Sequence, residues 1–204
     1  VPPSFFYFFP LFLLIVLAVL ATNFDRVRSF IGFAASPTII EDTPVERTIF
    51  LLIFNPVLEN QGSVKLTAYK GWNDPDTLSA QLLPSFPQAS NQYLTYRIAE
   101  RQEVDAIPVK TDGFVYTDET YLNCVGNTST CHASDGVNYQ KLFTDYNICA
   151  KNVDEVWLWG GPYFGYLEYN PVSFCGKTQF VMGFNYERGI SEVLHDFGHR
   201  MEYV

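Results

Sequence analysis

The sequence predicts an α/β domain: a layered, largely parallel sheet with flanking helices, preceded by an N-terminal apolar helix that is either a signal or a transmembrane segment. Three observations carry this. Beyond residue 45, apolar runs of strand length alternate with segments of helical spacing. The first of those runs is continuously apolar, as a strand buried on both faces requires. A chain of 204 residues with 48% hydrophobic and only 17% charged positions also has enough apolar material for a sizeable core.

Taken in order, Phe5 to Ala21 carries no charge and is about the minimum length for a bilayer-crossing helix. Pro10 would kink such a helix, and the small residues before Thr22 suit signal peptidase, so residues 1–22 read as a signal peptide or a transmembrane anchor. Through this segment the membrane is an expected partner. If the segment is retained, Arg26 and Arg28 would pull the downstream chain toward the cytoplasm, which conflicts with the compartment that the cysteines imply. Residues 23–45, with two prolines, read as a linker.

A single domain is then expected over 46–204, continuing past the last residue. "RTIFLLIFNPV" is its first strand. Asp74 or Asp76 caps a helix with Pro75 in its first turn, Leu78, Leu82 and Leu83 share one side, and Pro84 ends it. Alternation from Tyr93 to Ile98 gives a second strand, whereas 101–136 is turn-rich and bears cysteines, and reads as a loop-rich insertion. Tyr139, Leu142, Phe143 and Tyr146 mark a helix within 137–152. "VDEVWLWGG" is a third strand, stopped by two glycines, and "TQFVMGFNYE" a fourth leading into a helix from about Arg188.

A formal charge of −9 argues against a nucleic-acid partner, because phosphate binding needs concentrated basic surface, and weakly favours cationic partners. Four cysteines, at 124, 131, 149 and 175, come after an export-like segment, so they read as disulfides in an extracytoplasmic domain, membrane-anchored or secreted. Their spacing matches no compact zinc knuckle. Of three connectivities, local spacing favours Cys124 with Cys131 and Cys149 with Cys175. "NTS" makes Asn127 a glycosylation acceptor if the source is a eukaryote.

Ligands of open α/β sheets gather beyond the carboxyl ends of the strands, which directs attention to Asn55, to Glu100 with Arg101, to the loop "WGGPYFGYLEY", and to Glu187 with Arg188. On a helical wheel, Ile190, Val193, Leu194, Phe197, Met201 and Val204 fall in one sector, and Arg188, Glu192, His195, His199 and Glu202 in the opposite one. Histidines at i and i+4 can converge on one ion. "HDFGH" resembles the zinc-peptidase helix over five residues, with Asp196 where that family carries a glutamate base. In this expectation His195, His199 and Glu202 hold zinc, Glu192 or Asp196 takes the proton of the bound water, and Glu187 and Arg188 complete the catalytic set. A metal-free acid/base face is the alternative, and a plain solvated face the bland one.

Aromatic residues crowd the loop after the third strand. Trp157 and Trp159 alternate as core residues do, whereas Tyr163 and Phe164, past the strand end, are the better platform for a sugar ring or peptide, with Trp159 and Tyr166 as further ligand-binding candidates. "DETYLNC", "VDEVWLWGGPYFGYLEYN" and "MGFNYERGISEVLHDFGHR" resemble stretches of a group of large exported bacterial and fungal proteins. The resemblance implies export and one folded unit continuing past residue 204, and brings no catalytic residue to carry over. The expected function is an extracytoplasmic hydrolase, possible zinc dependence included, acting on peptide or glycan. The rival is a cell-surface binding module that holds glycan or peptide on residues 157–169.

Overall fold

The continuous apolar run becomes the centre of the sheet. Val45–Phe54 (β1) is paired on both sides, and from Ile49 to Phe54 its side chains are buried. A computed structural model describes residues 43–133 and 136–202. The expected signal or anchor, the linker as far as Asp42, and Val204 lie outside the described residues, and β1 takes in Val45, the expected last residue of the linker. Among the described residues no helix is long and apolar enough to cross a membrane.

Among the described residues five strands form the sheet, in the order β4-β1-β5-β7-β6. Leu94–Val104 (β4), Glu155–Gly160 (β5) and Lys177–Asn185 (β7) run parallel with β1, and Tyr169–Phe174 (β6) lies antiparallel along β7. Val57–Leu58 (β2) and Val64–Lys65 (β3) form a separate short ribbon. The sheet is therefore mostly parallel, as expected, with an antiparallel edge in a stretch that sequence patterning left unassigned beyond Tyr169. Pro171 lies within that edge strand, a position where a missing N–H costs no internal ladder bond. The other edge also differs from expectation. β4 continues through Arg101 and Glu103 to Val104, where the insertion was expected to begin, because an edge strand keeps charged residues within its register.

Six α-helices among the described residues cover the faces: Leu66–Lys70 (α1), Pro75–Leu82 (α2), Ser85–Ala89 (α3), Asp118–Gly126 (α4), Tyr139–Asp145 (α5) and Ile190–Glu202 (α6). Asp74 caps α2 as predicted, its carboxylate accepting from the Thr77 amide and hydroxyl. α4 interrupts the expected loop; a reciprocal Thr117–Thr120 cap starts it, and Tyr121 and Cys124 are its buried anchors.

Register divides the core into two layers. Glu155, Trp157 and Trp159 sit beside Phe180, Met182 and Phe184 on one face, and there Trp157 and Phe184 meet Phe197 of α6, while Trp159 donates to Ser79 of α2 at 2.8 Å. On the other face Phe54 packs against Tyr146 and Tyr166. The result is a three-layer sandwich, helices on both sides of the sheet.

Both disulfides join the partners that local spacing favoured, Cys124–Cys131 and Cys149–Cys175. The second ties the turn after α5 to the tip of the β6–β7 hairpin, where Cys175 and Gly176 both adopt positive φ. It spans 26 residues, so removing it through Cys149→Ala/Cys175→Ala is expected to cost about 3 kcal/mol, read as a lower midpoint in urea denaturation. Two disulfides are consistent with an oxidising, extracytoplasmic compartment.

α6 is rotated from its expected orientation. Its buried stripe is Val193, Asp196, Phe197 and Arg200, while Leu194 and Met201, assigned to the apolar face, are 41% and 43% exposed. The cause is a buried anchor: Arg200 donates to Glu155 at the start of β5 at 2.6 Å, and its guanidinium lies over the Phe180 ring. Gly198 meets nothing within 4 Å, so it has no packing role.

Candidate functional site

β6 stops pairing at Tyr169, opposite Met182, so Gly183–Asn185 continue β7 past its edge partner. The sheet has a notch there, at the carboxyl end of β7. The returning chain crosses it: the Gly183 amide donates to the Glu168 carbonyl at 3.3 Å, and the Tyr166 ring lies over Gly160 and Gly183. A β-carbon on Gly183 would come within 2.5 Å of the Leu167 carbonyl oxygen and overlap Tyr166. Gly183→Ala is therefore expected to push this segment off the sheet at a cost of about 1–3 kcal/mol, visible in thermal denaturation.

Between this segment and α6 lies a cleft of about 190 Å³, whose lining includes Tyr163, Tyr166, Glu168, Asn185, Glu192 and Asp196. Each group has an identifiable support. Arg188 and Glu192, one turn apart at the start of α6, are ion-paired and fixed together. Tyr163 is held at φ +64°, uncommon for a bulky residue, with its carbonyl accepting at 2.7 Å from the amino group of buried Lys110 and its side chain exposed beside the cleft. Asp196 is drawn inward because Val193, Phe197 and Arg200 fix the rotation of the helix.

Asp196 is only 6% exposed, and its carboxyl makes no hydrogen bond among the described residues. Desolvation, then the fields of Glu168 and Glu192, raise it from an ordinary 3.8 to about 7, against the opposing pull of Arg188 and His199. Two other polar atoms at this cleft, Tyr166 Oη and Asn185 Oδ1, are buried without a partner among the described residues. A protonated carboxyl beside two glutamates is a pairing that can deliver and accept protons at neutral pH.

Of the residues expected at the site, Arg188, Glu192 and Asp196 come together, with Tyr163 and Tyr166 on the opposite wall. Glu187 does not line the cleft. Trp159 and Phe164 are fully buried, Phe164 against Tyr121 and Tyr166, and so offer no platform. His195 and His199 lie on the outer side, their Nε2 atoms 3.0 Å apart. Glu202 approaches the Nδ1 of His199, at 3.5 Å, so the two neighbours address different nitrogens of that ring. Among the described residues no three His, Cys, Asp or Glu side chains are grouped to hold a metal. Glu168, 3.9 Å from His199 Nε2, and Asn185 were missed by sequence reasoning. Their one signal is position: Asn185 ends a strand, and Glu168 immediately precedes another.

Asn55, at the end of β1, is absorbed structurally, bonding Thr67 and Glu103. A larger, shallower groove of about 540 Å³ beside β6 has no carboxylate, imidazole or thiol in its described lining. No protein-family model, curated protein or solved structure matches this chain.

Proposed function

We propose that the domain is an extracytoplasmic glycan hydrolase in which Asp196 is the proton donor and Glu192 the base, one turn apart along the α6 wall of a cleft that Tyr166 and Asn185 also line. The observation that carries the reading is the buried, unbonded Asp196 carboxyl facing Glu192, Glu168 and Arg188. Asp196 and Glu192 are separated by one helical turn, with β-carbons about 6 Å apart, so a sugar acetal can be approached by both.

In the reaction the Asp196 proton passes to the glycosidic oxygen as its bond to the anomeric carbon breaks. Glu192, its carboxylate steered by Arg188, takes a proton from the water that forms the new bond to that carbon. Asp196 shares no proton with another carboxyl, unlike the paired carboxyls that activate water in acid peptidases, which favours an acetal over an amide. Tyr163 offers a partly exposed ring for a sugar face. The binding-module reading drew its platform chiefly from Tyr163 and Phe164, and with Phe164 buried it keeps only the exposed Tyr163 ring of that pair.

The test is release of new reducing ends from a panel of neutral, acetylated and aminated polysaccharides by the full chain, at pH 5 to 8, with Glu192→Gln as control. Release that disappears in Glu192→Gln supports the reading. No release from any polysaccharide, or release that persists in the control, overturns it.

A further inference from the structure

We propose, resting on the hydrolase reading, that the glycan recognised by this cleft carries free primary amines, with Glu168 holding a substrate ammonium beside the scissile bond. The balance of donors and acceptors points there. Three carboxyl groups line the cleft, and the single guanidinium in its described lining, Arg188, is already committed to Glu192. Among the described residues Asn185 Oδ1 and Tyr166 Oη are buried without a partner, both able to accept, and Asp196 is a buried carboxyl with no hydrogen bond. What the site lacks is a donor with positive charge. An ammonium presents three N–H groups and no acceptor, which suits this lining, whereas a uronate or sulfate would meet the carboxylates of Glu168 and Glu192, with the guanidinium of Arg188 already paired. The whole-chain charge of −9 would also draw polycations toward the surface.

Glu168 is the group best placed for this role. It lines the cleft, is exposed, and lies 3.9 Å from the His199 ring. It also exerts the larger of the two carboxylate fields that keep the proton on Asp196. An ammonium seated on Glu168 would cancel that field, and Asp196 would become the stronger acid when an aminated substrate is in place. Arg188, Glu192 and His199 are the other charged or titratable groups that act on Asp196; the Arg188–Glu192 pair is kept in this step, while His199 shares Glu168 with the ammonium. A lysine-bearing peptide presents the same ammonium, but Asp196 and Glu192 are arranged for acetal chemistry and Tyr163 for a ring face.

The experiment compares glucosamine oligomers with N-acetylglucosamine oligomers of equal length and with a lysyl peptide, by calorimetric titration at low and high salt and by reducing-end release. Expected is about ten- to hundredfold tighter binding of the aminated oligomer, weakened by salt and reduced in Glu168→Gln to the level of the acetylated one. Because Glu168 is exposed, that variant is expected to fold, which circular dichroism checks. Equal binding of aminated and acetylated oligomers, or tighter binding of the peptide, overturns the amine inference even if hydrolysis of a neutral glycan is observed. Tight, Glu168-dependent binding of the aminated oligomer without cleavage at any pH supports the amine site and overturns the hydrolase reading instead.

Discussion

Asp196→Asn is expected to lower glycan hydrolysis by about 10²–10⁴-fold, the contribution of a positioned proton donor, while leaving the protein more stable at alkaline pH. The two effects have one cause. Burial and the glutamate fields raise the Asp196 carboxyl from 3.8 to about 7, so the folded protein holds a proton that the unfolded chain has released. Below about pH 4 both states are protonated and the group is neutral for stability. As pH rises from about 4 to about 7 the unfolded state gains by ionising, and wild-type stability falls through that window. Asparagine has no such slope. At pH 8 the variant should exceed wild type by about 1–2 kcal/mol, less than the full shift implies because water enters the cleft and screens it. The rate should tell the same story, since wild-type turnover falls above about pH 7 as the donor loses its proton. Urea denaturation at pH 5 and pH 8, with the pH–rate profile, reads both. Lower activity with lower stability at pH 8 would mark Asp196 as structural and sink its role as donor.

The central sheet was legible because its signals are local. β1 from Ile49 to Phe54 and β5 from Val156 to Gly160 are apolar without interruption, β7 is largely so from Phe180 to Phe184, and Asp74-Pro75 announces α2 without reference to anything distant. The edges were not legible, for a shared reason: a strand with one free side tolerates Arg101, Glu103 or Pro171, residues that argue against a strand when its neighbours are unknown. α6 shows the deeper limit. A helical wheel ranks faces by hydrophobicity, and Leu194 and Met201 outvoted Asp196 and Arg200. What reverses the vote is Glu155, 45 residues away, whose buried charge demands a partner and finds it on the helix. Arg188, Glu192 and Asp196 could thus be named as a set, but the cleft they face depended on that rotation. The same rotation carried the histidines outward. Phe164 and Trp159 failed as platform residues because aromatic content does not distinguish a wall from a core.

That pairing sets the last expectation. Arg200→Ala should destabilise the domain by about 3–5 kcal/mol, because it strands a carboxylate that is only 3% exposed. Tyr96 and Trp157 would remain as neutral donors to Glu155, at 3.2 and 3.4 Å, which is too little to solvate a full charge. Repulsion of the Tyr96 phenolate by the same carboxylate is already visible, since burial and then Glu155 push that phenol well above its ordinary range. Combining Arg200→Met with Glu155→Gln removes both charges, and most of the lost stability should return, as it does when buried ion pairs are replaced whole. Activity should not return with it in full. Without the ion pair the rotation of α6 rests on the apolar contacts of Ile190, Val193 and Phe197, and Asp196, one turn before Arg200, loses the constraint that keeps it in the cleft. Paired urea denaturation and reducing-end assays on the single and double variants separate the two roles. If the double variant recovers stability and full hydrolysis together, the anchor serves the fold alone; a stable but slow double variant shows that it also aims the proton donor.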